Sequence, residues 1–331
     1  MDKPKVLLDS GAFTAWKQNV RISLNQYAKF VKENEHEFDG CFNLDVIGDL
    51  EKSYNNWLLL KAKGVNTIPI FHLSGSKDQK TEEDYLRKYL DQTDFIGVGA
   101  VATLDDSQRR HGLDRIFEKY FVDSQGRAKV KVHGLGTTST SMMKRYPWYS
   151  VDSFTPVISA VWGSVLLPRW NENGIPQYDD LLTCRISNQA NYEGDSESTW
   201  LGLPESVRAL NCKLFESLNF ELGEVTNIEK KDRRGKKGEQ KGRQQPMFVA
   251  RHPADPNEMS LANKWEIRMH WNLLIWRKLQ DILKDVIINT GVSTTTHLKI
   301  FGKVTPKLHM LISYYYCSDS IFKAIKHYRN D

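Results

Sequence analysis

Residues 130–153 read VKVHGLGTTSTSMMKRYPWYSVDS. The stretch opens with a short β-branched run, Val130–Leu135, which closes on glycines. A helix-like segment, Ser139–Tyr146, follows, and then a second strand-like run, Tyr149–Val151, that ends in Asp152-Ser153. Strand, turn, helix and strand in that order make a βα unit, whose crossover brings the second strand back parallel to the first.

The same order recurs upstream. Strand-like runs at Lys5–Leu8, Gly40–Leu44, Asn66–Phe71 and Phe95–Val101 alternate with helix-like segments at Leu24–Glu33, Lys52–Lys63, Glu82–Leu90 and Leu113–Tyr120. Six such units in roughly half the chain, with residues to spare, predict the α/β class and a (β/α)8 TIM barrel with insertions in its C-terminal half. The reading is of one domain, residues 1–331. In the second half Val161–Trp170 is expected to be an extended hairpin arm, and Pro204–Leu218 and Leu261–Ile288 to be helices. The spacing of Trp265, Met269, Leu273, Trp276 and Leu279 marks the expected core face of the long helix. His297–Phe301 is the expected closing strand. A last helix is expected over Ile312–Lys326, burying Tyr314, Tyr315 and Tyr316.

Composition narrows the function classes. With 331 residues, 40% hydrophobic and 26% charged, the chain can bury a large core, which excludes disorder as its main state. No apolar run approaches the ~18 residues of a membrane span, and Met1-Asp2-Lys3-Pro4-Lys5 leads straight into a strand-like run, so a cytoplasmic protein is expected. Cys41, Cys184, Cys212 and Cys317 lie far apart, without the paired spacing of a metal site, and are expected to be buried, reduced thiols. The formal charge is +5, and all of it resides in residues 229–244, EKKDRRGKKGEQKGRQ, which hold eight basic and three acidic residues and no hydrophobic one. That segment is expected to be a flexible basic insertion. Lys230, Lys231, Arg233, Arg234, Lys236, Lys237, Lys241 and Arg243 are its candidate phosphate contacts, which makes nucleic acid the expected partner.

In a barrel the chemistry gathers on the loops after the carboxyl ends of the strands. The runs here end in Asp9-Ser10-Gly11-Ala12-Phe13, Asn43-Leu44-Asp45, His72, Gly97-Val98-Gly99, His133-Gly134-Leu135-Gly136 and Asp152. Three carboxylates at one mouth suit chemistry at an anomeric carbon, where one acts as nucleophile or charge stabiliser and another moves a proton. The third can accept hydrogen bonds from a donor-rich edge such as that of guanine. Gly97, Gly99, Gly134 and Gly136 would let a planar ligand approach the backbone. His72 and His133 are candidate ligand contacts or stacking surfaces, and no metal site is expected of them.

These motifs, in this order, resemble the tRNA-guanine transglycosylases, and Asp9-Ser10-Gly11-Ala12-Phe13 looks like that family's Asp-Ser-Gly-Gly-aromatic motif. Arg145-Tyr146-Pro147-Trp148-Tyr149-Ser150-Val151-Asp152-Ser153, after Val132-His133-Gly134-Leu135-Gly136, is similar to the branch found in phages and bacterial genomic islands, the DNA transglycosylases that exchange guanine for a 7-deazaguanine. The resemblance spans about residues 5–165. It implies Asp152 as nucleophile and Asp9 as general acid/base, although the sequence leaves open an exchange of roles between them. It also implies a base site formed by Ser10, Gly11, Phe13, Asp45, His72, Gly97, Val98, Gly99, His133 and Gly134, with Phe13 and His133 sandwiching the ring. The implied partners are double-stranded DNA and a free 7-deazaguanine such as preQ0, and no cofactor is called for. The tRNA enzymes carry a Cys-x-Cys-x-x-Cys cluster that this chain lacks, and Asp152 is followed by Ser153-Phe154-Thr155 rather than preceded by the family's Asp-x-Phe. Action on tRNA and a catalytically silent nucleic-acid-binding barrel are the alternatives.

Overall fold

Strands that read as near-continuous apolar runs are covered on both faces, which is the condition of a parallel sheet. In the computed structural model Val6, Leu7, Leu8, Ile70, Phe71, Ile96, Val98, Val132 and Val151 are all buried. The structure describes residues 6–73, 79–99, 104–137, 139–152, 155–187, 199–225, 229–231, 247–249, 258–283, 289–292, 296–299, 307–308 and 310–313. The chain divides into two compact units, residues 1–153 with 283–331, and residues 154–282.

The first unit is mixed α/β and alternates strand and helix: β1 (Val6–Asp9), α1 (Ala12–Lys17), α2 (Leu24–Asn34), β2 (Gly40–Cys41), α3 (Leu50–Ala62), β3 (Ile70–His72), α4 (Gln79–Leu90), β4 (Phe95–Gly99), α5 (Asp106–Ile116), β5 (Lys131–Gly134), α6 (Thr140–Arg145) and β6 (Ser150–Val151). Local chemistry starts the helices: Ser23 and Asp49 cap α2 and α3, and Asp105 with Gln108 forms a capping box on α5. β1 and β2 pair in parallel, as do β3 to β6 in order, and a parallel bridge between Phe42 and Ile68 links the two groups. The two faces of the strands carry different packing. Leu8 and Cys41 pack with Tyr27, Ala28, Val31 and Leu60 of α2 and α3, whereas Leu7, Phe42 and Ile70 form a separate cluster with Leu135 against it.

The second unit holds α7 (Thr155–Val161), β7 (Ser164–Trp170), β8 (Pro176–Arg185), α8 (Glu205–Ser217), β9 (Glu229–Lys231), β10 (Met247–Val249) and α9 (Trp265–Leu283). β7 and β8 form the expected hairpin, three residues later than the sequence suggests because Val161 ends α7, and its register shifts at Pro168, which has no N–H for the ladder. Lys230 and Lys231 lie on β9, paired antiparallel with β10, so the basic segment begins as a ribbon rather than a loop; charge density constrains the side chains, not the backbone pairing. Arg233, Arg234, Lys236, Lys237, Lys241 and Arg243 lie outside the described residues.

The buried face of α9 is rotated from the expected one. Trp265 and Leu273 are exposed, and Arg268, Trp271, Asn272, Ile275, Trp276 and Leu279 are buried. Two polar residues belong to the core face because their partners are there. The Asn272 amide donates to the Pro156 and Ser164 carbonyls and accepts from Leu166 N–H, and the Arg268 guanidinium donates to the Ala160 and Leu261 carbonyls.

Beyond α9 the chain returns to the first unit as β11 (Asn289–Val292), β12 (Thr296–Lys299), β13 (Lys307–Leu308) and β14 (Met310–Ser313). β12 folds antiparallel onto β11, so His297–Phe301 is not the strand that pairs with β1. That strand is β14, parallel to β1, and β13, one residue before it, pairs parallel with β6. Ile312–Ser313, the start of the expected last helix, is therefore strand; Tyr314–Lys326 lies outside the described residues. The thiols of Cys41 and Cys184 are buried and free, and burial pushes both up to about 12; Cys212 is free and partly exposed, and Cys317 is not described.

The stretch Arg145–Ser150 holds β6 in place. Arg145 Nε and Nη2 clamp the Asp114 carboxylate at 2.8 and 2.7 Å, and Tyr146 Oη donates to it at 2.7 Å, joining α5 to the chain that enters β6. Trp148 is fully buried and donates to the Met142 carbonyl at 3.0 Å. A Cβ at Gly134 would lie 2.6 Å from Thr137 Oγ1 and 3.1 Å from the Trp148 ring, so both side chains leave room for a glycine only. Asp114→Ala removes an acceptor shared by the half-buried Arg145 and the buried Tyr146, and should lower stability in urea denaturation by about 2–4 kcal/mol with an unchanged denaturant slope.

Candidate active site

The site is built from the residues that leave β1, the β2–α3 connection, β3, β5 and β6. β1 delivers Asp9, half-buried, and the chain then turns sharply. Gly11 takes a left-handed φ of 76°, and its N–H donates to Asp9 Oδ2 at 3.2 Å, closing the turn into α1. Ser10 is fully buried; its hydroxyl accepts from Ala12 N–H at 3.2 Å and donates to Asp45 Oδ1 at 3.2 Å.

Asn43 places Asp45. Its amide oxygen accepts from Ile70 N–H at 2.7 Å and its amide nitrogen donates to the Ser53 carbonyl at 3.2 Å, tying the end of the β2 run to β3 and α3. Asp45 is buried, and its Oδ2 lies 2.6 Å from His72 Nε2. A carboxylate opposite Nε2 requires the ring hydrogen on that nitrogen. His72 Nδ1 is buried and has no hydrogen-bond partner among the described residues.

Asp152, also buried, leaves β6 with its N–H donating to the Gly134 carbonyl at 3.3 Å. Its Oδ1 meets His133 Nε2 at 3.1 Å and accepts from Gly136 N–H at 3.0 Å. Gly136 has φ 64°, the left-handed geometry that turns this amide toward the carboxylate. His133 Nδ1 lies 2.7 Å from Ser150 Oγ, its cross-strand partner in the β5–β6 register. The His133 ring is wholly buried and packs on Phe42 at a centroid distance of 4.9 Å, so it offers a stacked base no exposed face; its bonds go to Asp152 and Ser150.

Asp9 feels the other two carboxylates. Asp9 is pushed up to about 7, first by burial and then by the charges of Asp45 and Asp152, against the smaller opposing effect of the Gly11 and Ser10 amides. Near neutral pH it is the carboxyl that exchanges a proton. The charge of Asp45 also helps raise the buried Tyr89 hydroxyl of α4.

The glycines of β4 answer to packing. A Cβ on Gly97 would meet Phe42 at 3.0 Å and Leu135 at 3.1 Å, and one on Gly99 would meet Ile70 at 3.0 Å and His72 at 3.3 Å. The Gly97 amide donates to the Pro69 carbonyl at 2.8 Å, so it is spent within the sheet. Val98 is a core residue whose carbonyl accepts from Leu135 N–H at 3.1 Å. Phe13 lies on α1, half-buried, 5.9 Å from the Trp16 ring and with Lys17 Nζ 4.5 Å from its own centroid.

Two contributors escaped the sequence reading. Ser150 had a signal, since it stands two residues before Asp152 and the strand period of two puts them on one face. Gly136 was expected to let a planar ligand approach the backbone, not to donate to Asp152. The chain matches no protein-family model and no curated protein of known function.

Asp9 supplies a test of this geometry. Its folded-state proton affinity exceeds that of the unfolded chain, so between pH 3.8 and about 7 the folded state holds more protons and stability falls as pH rises. Asp9→Asn should therefore raise the thermal midpoint, with little gain at pH 4 and a gain of up to about 4 kcal/mol at pH 8, read by calorimetry across that range.

Proposed function

We propose that this protein is a DNA-guanine transglycosylase that exchanges guanine in DNA for a 7-deazaguanine base through a covalent glycosyl-enzyme. The observation that carries this reading is the trio Asp9, Asp45 and Asp152 at the ends of parallel strands, one of them poised to exchange a proton near pH 7. Base exchange needs this division of labour: a nucleophile, a proton carrier and an edge reader.

Asp152 attacks C1′ of a deoxyguanosine turned out of the duplex. The C1′–N9 bond breaks as Asp9 gives its proton to the departing guanine. The incoming 7-deazaguanine then returns a proton to Asp9, its N9 bonds to C1′, and the electron pair of the broken ester returns to Asp152. The raised proton affinity of Asp9 supports giving it the proton-carrying role and Asp152 the nucleophilic one. Asp45 accepts from the N–H and NH₂ groups of the guanine edge, and His72 Nδ1 is available to the same base. Phe13 is the remaining aromatic candidate for stacking on it.

The scaffold fits a parallel barrel in which residues 307–313 close the strand array by pairing with β6 on one side and β1 on the other. The basic residues of 229–244 supply phosphate contacts that help offset the few kcal/mol of unstacking an extruded base. DNA is preferred to tRNA because the chain has no Cys-x-Cys-x-x-Cys sequence.

The deciding experiment follows radiolabelled guanine into duplex DNA and into tRNA, with the 7-cyano compound preQ0 as competitor. Label is expected in DNA, reduced by competitor, and lost by about 10⁴-fold or more in Asp152→Ala. In single turnover the first half-reaction should slow as pH rises through about 7, where Asp9 gives up its proton. Label in tRNA alone overturns the substrate; label in neither overturns the enzyme and leaves a nucleic-acid-binding protein.

A further inference from the structure

Both hydrogen bonds that Asp152 accepts from described residues fall on one oxygen. His133 Nε2, at 3.1 Å, and Gly136 N–H, at 3.0 Å, converge on Oδ1. No described residue donates to Oδ2. Each donor has a defined setting. Gly136 has a left-handed φ of 64°, and His133 and Ser150 are wholly buried and face each other in the β5–β6 register. A neutral imidazole carries one hydrogen, and the carboxylate opposite Nε2 demands it there. Nδ1 is then an acceptor, and the Ser150 hydroxyl at 2.7 Å is its donor.

We propose that His133 and the Gly136 amide form a fixed donor pair that selects Oδ2 as the attacking oxygen and sets how readily Asp152 leaves again, with Ser150 holding His133 in the donating tautomer. This rests on Asp152 being the nucleophile. When Oδ2 bonds to C1′ and the C1′–N9 bond breaks, Oδ1 becomes the carbonyl oxygen of an ester and accepts hydrogen bonds less strongly than a carboxylate. The donor pair therefore favours the return step, in which the incoming base bonds through N9 and the Oδ2–C1′ electron pair reverts to the carboxylate. His133 acts through Asp152 and is a positioning residue. Its removal should shift the enzyme toward the covalent form, whereas a merely structural loss would lower the adduct and the exchange rate together.

The test uses the full chain with duplex DNA and measures two quantities: the fraction of protein joined covalently to DNA on a denaturing gel at fixed guanine concentration, and the rate at which added guanine discharges it. His133→Ala should raise the adduct-to-free ratio and slow discharge by roughly 10- to 100-fold, the worth of one hydrogen bond to a charged group. His133→Gln, which can present an N–H near the position of Nε2, should move both back toward the parent. Ser150→Ala should shift them in the same direction by a smaller factor, and it carries the test if His133→Ala does not fold. Adduct in the parent with unchanged ratio and discharge in the variants overturns the donor pair alone. Exchange without any adduct in the parent overturns the nucleophile assignment beneath it.

Discussion

Like charges crowded into a poorly solvated space do not all ionise, and this constraint governs the ends of the strands in the first unit. Asp45 and Asp152 each have a buried histidine within hydrogen-bond distance and a further N–H or O–H donor: Ser10 for the first, Gly136 for the second. Among the described residues Asp9 has the backbone amides of its own turn to set against burial and two neighbouring charges, and its proton affinity is raised. Three residues of one kind thus acquire different properties from the partners their strands provide.

Those partners depend on close strand packing. His133 can reach Asp152 because Trp148 fills the space beside Gly134 and the Arg145–Asp114–Tyr146 clasp fixes where β6 begins. His72 can reach Asp45 because Asn43 joins the end of the β2 run to β3, and because Gly99 leaves room for the His72 ring. The glycines of β4 are therefore structural in the sense that a methyl group there would press on Phe42, Leu135 or Ile70, side chains of the cluster beside the sheet, which would have to give by a few tenths of an ångström.

The strands, the helices between them and the acids at their ends were legible because each depends on local pattern: period, cap and turn. The polar core face of α9 was not, since Asn272 and Arg268 look like solvent-facing residues until the carbonyls that bind them are known. The strand at Met310–Ser313, whose last two residues were expected to open a helix, was not, because a short apolar run fits either a helix or a strand, and its partner β1 lies about 300 residues earlier. Ser150 and Gly136 were only half legible. Their positions follow from the motif, but their donor roles appear only when β5 and β6 are placed side by side.

The pairing of residues 307–313 with both β6 and β1 has a consequence for biosynthesis. During synthesis the first six strands emerge early, yet the edges of β1 and β6 that this segment covers cannot be paired until the whole second unit has left the ribosome. Throughout that interval two strand edges stand open to other chains, and the contacts that close them have the long sequence separation that slows folding. Exposed edges of this kind are the ones that chaperones shield, until β14 arrives.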